Sequence, residues 1–415
     1  MKPILVVEDS PMVVKIIRHV LSQSSLVQAS YASSFAEARE CVEKAKVPFF
    51  AALVDLTLPD ADNGEVVDYT LSLGIPTIVL TSSYDEKRRE LLVNKGIVDY
   101  VTKEGRYSYE YALGTLHRLI RNSSIKVLVV DDSSVQRRIV SQLLGLHLFQ
   151  VLEAEDGVEA IRVFLDNPDI KLIITDYNMP NMDGFDLIRN IRVKYEKTDL
   201  GIIGVSSESE GSLSAKFIKF GASDFLKKPF NHEEFYCRIN HNIDMIEMIE
   251  KIRDSANRDE LTGIFHRQYF FKQGRDLYAR ACDNCTPIAA AVIDLDHFGE
   301  INDNYGNDFG DQLMRVVAKQ LEDAFGRFFI ARADGQEFYV LMPGLDNDKA
   351  LSYVGRVRQL LSGAAHNVEG TEIAVTFTVG VSNKMGRSLD DQMHNAMRCL
   401  KRAKEAGRDL VVGDD

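Results

Sequence analysis

The sequence predicts two doubly wound parallel α/β sheets in tandem, followed by an α+β domain. Three observations predict this. Short apolar runs end in an acid and lead into amphipathic helices, as strands covered on both faces of a parallel sheet do. The same spaced features occur twice within residues 1–245. From about residue 259 the strands come instead in pairs around tight turns. At roughly 150 residues per domain, a chain of 415 residues holds about three.

Residues 3–8, PILVVE, read as a strand ending at Glu8-Asp9, and residues 126–130, KVLVV, as one ending at Asp131-Asp132. A serine and an amphipathic helix follow each: PMVVKIIRHVL in the first copy, SVQRRIVSQLL in the second. The run AALVD ends in Asp55, and KLIITD ends in Asp176, before an Asn-Met-Pro turn and Asp183-Gly184. TIVLTS carries Thr81 and IIGVSS carries Ser206; VDYVTKE carries Lys103 and SDFLKKP carries Lys228. The pairs Asp9/Asp132, Asp55/Asp176, Thr81/Ser206 and Lys103/Lys228 stand 123, 121, 125 and 125 residues apart. Four matched features at one period make an internal repeat. The copies span 1–122 and 123–245, with RNSS (121–124) as the polar junction.

Residues 232–258 form one long helical pattern, with Phe235, Ile239, Ile246 and Ile249 near heptad spacing. It reads as the last helix of the second copy running on through 246–258 as a stalk that joins or dimerises domains. The third domain, 259–415, opens with DELTGIFHRQYF, entering a helix. PIAAAVIDLDHFGEINDNYG then reads as strand, acidic turn and helix; residues 328–341 read as two strands around an Asp-Gly turn. A helix over 346–362, a strand over 372–382 and a last helix ending at a glycine complete it. Phe325, Phe328 and Phe329 read as a helix end and a strand entering the core.

Composition excludes several classes. The net charge is −13 with no basic block, which argues against direct nucleic-acid binding. No apolar run reaches the roughly 18 residues of a membrane helix. The start, MKPILVVEDS, turns acidic too early for a signal peptide. Five cysteines, an odd number in a long chain, read as reduced thiols, so a cytoplasmic protein is expected. Cys282-x-x-Cys285 has no second pair at zinc-finger spacing and reads as loop thiols.

Each copy brings acids to the carboxyl edge of neighbouring strands, where open α/β sheets place their chemistry. These are Glu8, Asp9 and Asp55, and Asp131, Asp132 and Asp176. Crowded carboxylates repel unless a cation joins them, and an oxygen-only ligand set suits Mg²⁺. Lys103 and Lys228 add positive charge for phosphoryl oxygens, and Thr81 and Ser206 offer a hydroxyl donor. The physical reading is that Asp55 and Asp176 attack phosphorus and become acyl phosphates.

These motifs (VVEDS, DLTLP, LTS and VTKEG, then VVDDS, DYNMPNMDG, VSS and LKKPF) resemble the receiver domain of two-component response regulators. The resemblance implies a flavodoxin-like five-stranded sheet in each copy. It makes Asp55 and Asp176 phosphoacceptors for a histidine kinase or phosphotransfer protein. It makes Asp9 and Asp132 the Mg²⁺ ligands, with Glu8 and Asp131 assisting. Thr81 and Ser206 become switch hydroxyls, and Lys103 and Lys228 the family's lysines. A phosphorylation-dependent homodimer follows by the same resemblance. Copy one departs in its loops: Glu104 follows the lysine where copy two has Pro229, and PDADNG is one residue longer than PNMDG.

Residues 259–413 resemble a GGDEF (diguanylate cyclase) domain, a nucleotide-cyclase-like α+β fold. The pieces are DELTGIFHRQYF, DLDHFGEINDNYGNDFGD, ARADGQEF and CLKRAKEAGRD. The resemblance implies GTP with Mg²⁺: Asp294 and the Leu295 carbonyl on the metal, Asn302 and Asp311 on guanine, Lys404 and Arg408 on phosphates. His266 stands where the family's entry motif usually has Asn, and reads as structural. Three positions depart. Gln336 replaces the acid that shares the metal, Asp334 replaces a glycine, and Gly299 replaces a lysine. All weaken one polyphosphate site, while Glu337 remains. The product-inhibition motif ahead of the hairpin is also missing: that place reads Phe325-Gly326-Arg327-Phe328. The expectation is an output domain without cyclase activity that binds a protein or a nucleotide; the alternative is a weakly active diguanylate cyclase.

Overall fold

The computed structural model describes residues 1–83, 85–207 and 213–414. The chain divides into two compact units, Met1–Ile249 and Glu250–Asp415. The first holds both copies of the repeat. Copy one runs β1 (Lys2–Val7), α1 (Pro11–Ser22), β2 (Val27–Ala32), α2 (Phe35–Lys44), β3 (Ala51–Asp55), α3 (Glu65–Ser72), β4 (Thr77–Thr81), α4 (Glu86–Lys95), β5 (Asp99–Thr102) and α5 (Arg106–Asn122). Copy two runs β6 (Lys126–Val130), α6 (Ser134–Leu146), β7 (Gln150–Ala154), α7 (Gly157–Asp166), β8 (Ile170–Asp176), α8 (Gly184–Arg192), β9 (Gly201–Ser206), α9 (Leu213–Phe220), β10 (Asp224–Lys227) and α10 (His232–Ala256).

The sheets have the orders β2-β1-β3-β4-β5 and β10-β9-β8-β6-β7. Every pairing in both is parallel. These are the same order read from opposite ends, the flavodoxin-like arrangement. Its cause is in the strands: all five residues of β3 and of β4 are buried, so helices must cover both faces. Each copy accordingly has two apolar clusters, one per face. Serines set the first helices: Ser10 accepts from Val13 N–H and Ser133 from Gln136 N–H.

The two copies pack on each other. Arg118 of α5, nearly buried, pairs with Asp244 and, at 3.4 Å, with Glu247 of α10. Arg121 reaches Glu247 at 3.4 Å, and Arg89 of α4 pairs with Glu233. His147, capping α6, donates from Nε2 to the Val98 carbonyl at 3.2 Å, and Asn122 Nδ2 donates to the His147 carbonyl at 3.0 Å. The ring stacks on Tyr236, with centroids 3.5 Å apart. Burial holds the imidazole well below its ordinary value, at about 4.

The heptad reading of 232–258 needs correction at its start. Phe235, Ile239 and Ile246 are 0–2% exposed, and Phe235 and Ile239 belong to the core of copy two. They cover the second sheet and leave no free seam. The exposed apolar residues of α10 are instead Met245, Met248 and Ile252.

The second unit contains β11 (Phe265–His266), α11 (Arg267–Asp283), β12 (Ile288–Leu295), α12 (Phe298–Tyr305), α13 (Asn307–Phe325), β13 (Phe329–Asp334), β14 (Glu337–Pro343), α14 (Asn347–Ser362), β15 (Ala365–Val368), β16 (Thr371–Ala374), β17 (Phe377–Ser382), α15 (Leu389–Glu405) and β18 (Val411–Val412). Its main sheet is ordered β11-β13-β14-β12-β17-β18. The central strand β12 is buried throughout and antiparallel to both neighbours. The strand expected over 372–382 is two strands. β16 pairs with β15 in a small hairpin, and the chain turns at Val375-Thr376, where Thr376 Oγ1 donates to Asp296 at 2.8 Å. The hairpin loop is Gly335-Gln336, with a register shift at Arg332/Asp334. Phe325 is fully buried, as a helix end entering the core should be. His266 is the N-cap of α11, accepting from Tyr269 N–H.

Candidate functional site

β1 and β3 are neighbours in copy one, so the acids that follow or end them meet at one sheet edge. Glu8 and Asp9 follow β1, Asp55 ends β3, Thr81 ends β4 and Lys103 follows β5. The Lys103 ammonium lies 2.6 Å from Glu8 Oε2 and 2.6 Å from Asp55 Oδ2. Glu8 is 1% exposed. Burial pushes its carboxyl above the ordinary range, against the pull of Lys103. Burial also works against the charge on Lys103, but the two carboxylates more than reverse this and raise its pKa. Glu8, Asp9 and Asp55 each place an oxygen within 4.8 Å of the others. An oxygen-only set of this kind fits a hard divalent cation such as Mg²⁺.

Copy two repeats the lysine bridge, but its acids Asp131, Asp132 and Asp176 are not drawn into a group as tight as that of Glu8, Asp9 and Asp55. Lys228 lies 2.8 Å from Asp131 Oδ2 and 2.7 Å from Asp176 Oδ1. Burial raises the Asp176 carboxyl, opposed by Lys228. Asp176 also accepts from Asn178 N–H at 3.0 Å, as Asp55 does from Thr57 N–H at 3.3 Å. Asp132, like Asp9, is exposed. Ser206, buried, ends β9 as Thr81 ends β4, and Thr81 Oγ1 donates to the Ser83 carbonyl at 3.1 Å. Each lysine thus bridges the phosphoacceptor candidate to the first acid of the preceding pair, Glu8 or Asp131.

In the second unit, Asp294, the penultimate residue of β12, stands opposite Glu337 at the start of β14. Gln336, in the loop, accepts from Leu295 N–H through its backbone at 3.3 Å. Lys404 lies 2.8 Å from Asp294 Oδ2. Burial raises both carboxyls; for Glu337 the neighbouring Asp294 adds to the effect. The Arg408 charge also acts on Asp294. Asn302 lies in α12 and Asp311, exposed, in the first turns of α13. The structure therefore gathers Asp294, Glu337, Lys404 and Arg408. Asp294 and Glu337 are cross-strand partners, and the hairpin carries one charge fewer than an acid at 336 would give.

Sequence reasoning missed Asp296. Buried, it accepts from Thr376 Oγ1, Thr378 Oγ1 and, at 3.2 Å, from Asp409 N–H. It ties the loop carrying Arg408 to the strand carrying Asp294. The signal available was its place in Asp294-Leu295-Asp296, a second acid directly after the end of a strand. Cys282 and Cys285 are exposed free thiols.

A family model for the response regulator receiver domain matches residues 4–108 and 127–240, more than half of the chain, and one for the diguanylate cyclase GGDEF domain matches 256–410. Response regulator PleD of Caulobacter vibrioides is 28% identical over 300 residues, which are 69% of this chain. The match spans 65% of that relative's length. A chemotaxis protein CheY homolog of Campylobacter jejuni is 42% identical over 107 residues, 26% of this chain and 82% of that one. A solved two-component response regulator/GGDEF domain protein is 40% identical, with a TM-score of 0.54, covering 60% of this chain and all of that one. No helix among the described residues is long and apolar enough to cross a membrane. The chain therefore belongs to the response regulators, with two receiver domains followed by a C-terminal GGDEF domain.

Proposed function

We propose that Asp55 and Asp176 both accept a phosphoryl group, and that the GGDEF domain signals by binding a protein or nucleotide without making cyclic di-GMP. The observation that carries the first half is the twice-built triad of lysine, phosphoacceptor and buried acid. The donor is a phosphohistidine of a kinase or phosphotransfer protein. One carboxylate oxygen of Asp176 bonds to phosphorus as the P–N bond breaks; the electron pair leaves with the imidazole, which takes up a proton. Lys228 moves its charge toward the phosphoryl oxygens, and Ser206 supplies a hydroxyl donor. Glu8, Asp9 and Asp55, or Asp131, Asp132 and Asp176, would hold Mg²⁺, which supplies charge neutralisation when bound.

Acetyl phosphate with Mg²⁺ tests the assignment on the full chain. Asp55→Ala and Asp176→Ala each remove about half of the covalent label, and the double variant carries none. Undiminished labelling of a folded double variant rejects it.

Gln336, Asp334 and Gly299 support the second half: where a triphosphate must sit, Gln336 removes metal-ligand charge, Gly299 removes a positive charge and Asp334 adds a negative one. The surviving pair Asp294 and Glu337 favours the second reading, a slow cyclase. Incubation with GTP and Mg²⁺ or Mn²⁺ separates the two. No product is expected; turnover at ordinary enzyme rates overturns the reading.

A further inference from the structure

Between α15 and β18 the backbone takes three left-handed residues in a row: Gly407 at φ 119°, Arg408 at φ 61° and Asp409 at φ 48°. Glycine enters this region freely, but Arg and Asp stay there only where their surroundings hold them. Arg408 is the second cation, after Lys404, whose charge acts on Asp294. What fixes its backbone therefore fixes the charge offered to an anion there. The holding groups stand just past it. Asp409 N–H donates to Asp296 Oδ2 at 3.2 Å and to Thr378 Oγ1 at 3.0 Å. The Asp409 carbonyl accepts from Arg358 Nη1 at 2.7 Å; its carboxylate accepts from Ser362 Oγ at 3.0 Å and pairs with Arg358.

The same segment is tied again at its far end. β18 runs parallel to β17 through two pairings, Val379 with Val411 and Gly380 with Val412. Strands usually run about 3–10 residues, and so short a ladder is free to fray without further anchors. Asp414 is that anchor. Its carboxylate accepts from Ser382 Oγ at 2.9 Å, from Asn383 N–H at 2.8 Å and from Lys384 N–H at 3.0 Å. The receiving turn is itself fixed: Ser382 is fully buried, and Asn383 Nδ2 donates to the Ile288 and Leu345 carbonyls at 3.0 and 3.1 Å. Arg402 of α15 donates to the adjoining Gly413 carbonyl. The two ties, at Thr378 and Ser382 of β17, lie about 13 Å apart at the usual rise per residue.

We propose that Asp414 is a positioning residue for the site at Asp294: it holds β18 in register, and β18 holds Arg408 where an incoming polyphosphate needs its charge. The proposal rests on the nucleotide arm of the function given above. An arginine whose backbone is already ordered loses less freedom on binding. Released at Asp414, the segment frays back toward Asp409, and Arg408 leaves the left-handed region.

GTP with Mg²⁺ is the probe, measured by equilibrium dialysis on the full chain. Hydrogen exchange at Arg408 and Asp409, followed by mass spectrometry, is the second readout. Asp414→Ala is expected to weaken GTP about fivefold and to speed exchange at the two residues about tenfold. Arg408→Ala weakens GTP by itself, and adding Asp414→Ala to it costs nothing more, because both act through one side chain. Asp414→Asn, which keeps an acceptor oxygen for the two backbone N–H groups, retains most of the affinity. A merely structural Asp414 would weaken GTP equally with or without Arg408, and that result overturns the proposal. So does parental affinity in Asp414→Ala. If the parent chain binds no GTP, the nucleotide arm fails and exchange alone decides. Faster exchange in Asp414→Ala then upholds the anchoring of Arg408 by Asp414, and parental exchange sinks it.

Discussion

His147 shows how one buried side chain makes the receiver pair sensitive to acid. Its ring is neutral in the folded chain, with a pKa of about 4, against about 6.5 when unfolded. The unfolded state therefore binds the proton first as pH falls. The stability this neutral ring confers is complete above about 6.5 and drains away toward pH 4. Between those values the receiver unit should lose about 2–3 kcal/mol more than a His147→Gln variant. Urea unfolding at each pH measures it; parallel pH profiles for the two proteins would refute the assignment. In the GGDEF domain three residues depart from the family pattern. Gly299 has open space at its first side-chain carbon, and Asp334 is 88% exposed. The triple variant Gly299→Lys, Asp334→Gly, Gln336→Glu should therefore fold and gain measurable cyclic di-GMP synthesis from GTP, at least tenfold above the parent. A silent, folded triple variant would show that these three positions do not govern synthesis. Asp55, Asp176 and both lysines were legible in sequence because each ends or directly follows a strand within a repeated period. Asp296 was not, because two of its partners, Thr376 and Asp409, are 80 and 113 residues away and meet it only in the assembled sheet.

At the level of elements, helix and strand contacts decide how much change each surface tolerates. Strand β17 carries Gly380 where α15 crosses it. A side-chain carbon there would lie 2.1 Å from Leu400 N and 2.2 Å from the Ala396 carbonyl oxygen. Backbone must move to admit it, so Gly380→Ala should cost about 3 kcal/mol, read as a lower melting temperature of the GGDEF domain. Wild-type stability in that variant would contradict the packing. Most strands and helices were readable from apolar runs and caps. The strand over 372–382 was not, because Val375-Thr376 continue the β-favouring pattern while the Asp296 carboxylate draws Thr376 out of line. The heptad of α10 misled for a related reason. Spacing near three and four residues marks an apolar face, and nothing in it says whether a sheet or a second helix will cover that face.

For the whole chain, the covered and uncovered faces of the two receivers point to where a second copy would bind. Copy one's α4–β5–α5 surface is already occupied by copy two. Copy two leaves Ile218 and Phe220 of α9, and Met245 and Met248 of α10, exposed. Phosphorylation adds about −1.5 to −2 charge at the acceptor and biases the surface beside it. Beryllofluoride with Mg²⁺ should therefore shift the full chain toward dimer in sedimentation velocity, and Met248→Glu should suppress the shift. An unchanged profile in the parent protein would count against control by association.

Arg118 and Arg121 have consequences through their counterparts in the second copy. Leu116 and Leu119 of α5 and Ile243 and Ile246 of α10 are buried residues at matching spacing. Counting from them, Met245 and Met248 stand where copy one has Arg118 and Arg121. Duplication has thus left one helix face ionic and its twin greasy. Ionic strength should act on them in opposite senses: concentrated sodium chloride loosens the seam between the receivers, while a salting-out anion such as sulfate tightens whatever gathers on the methionines.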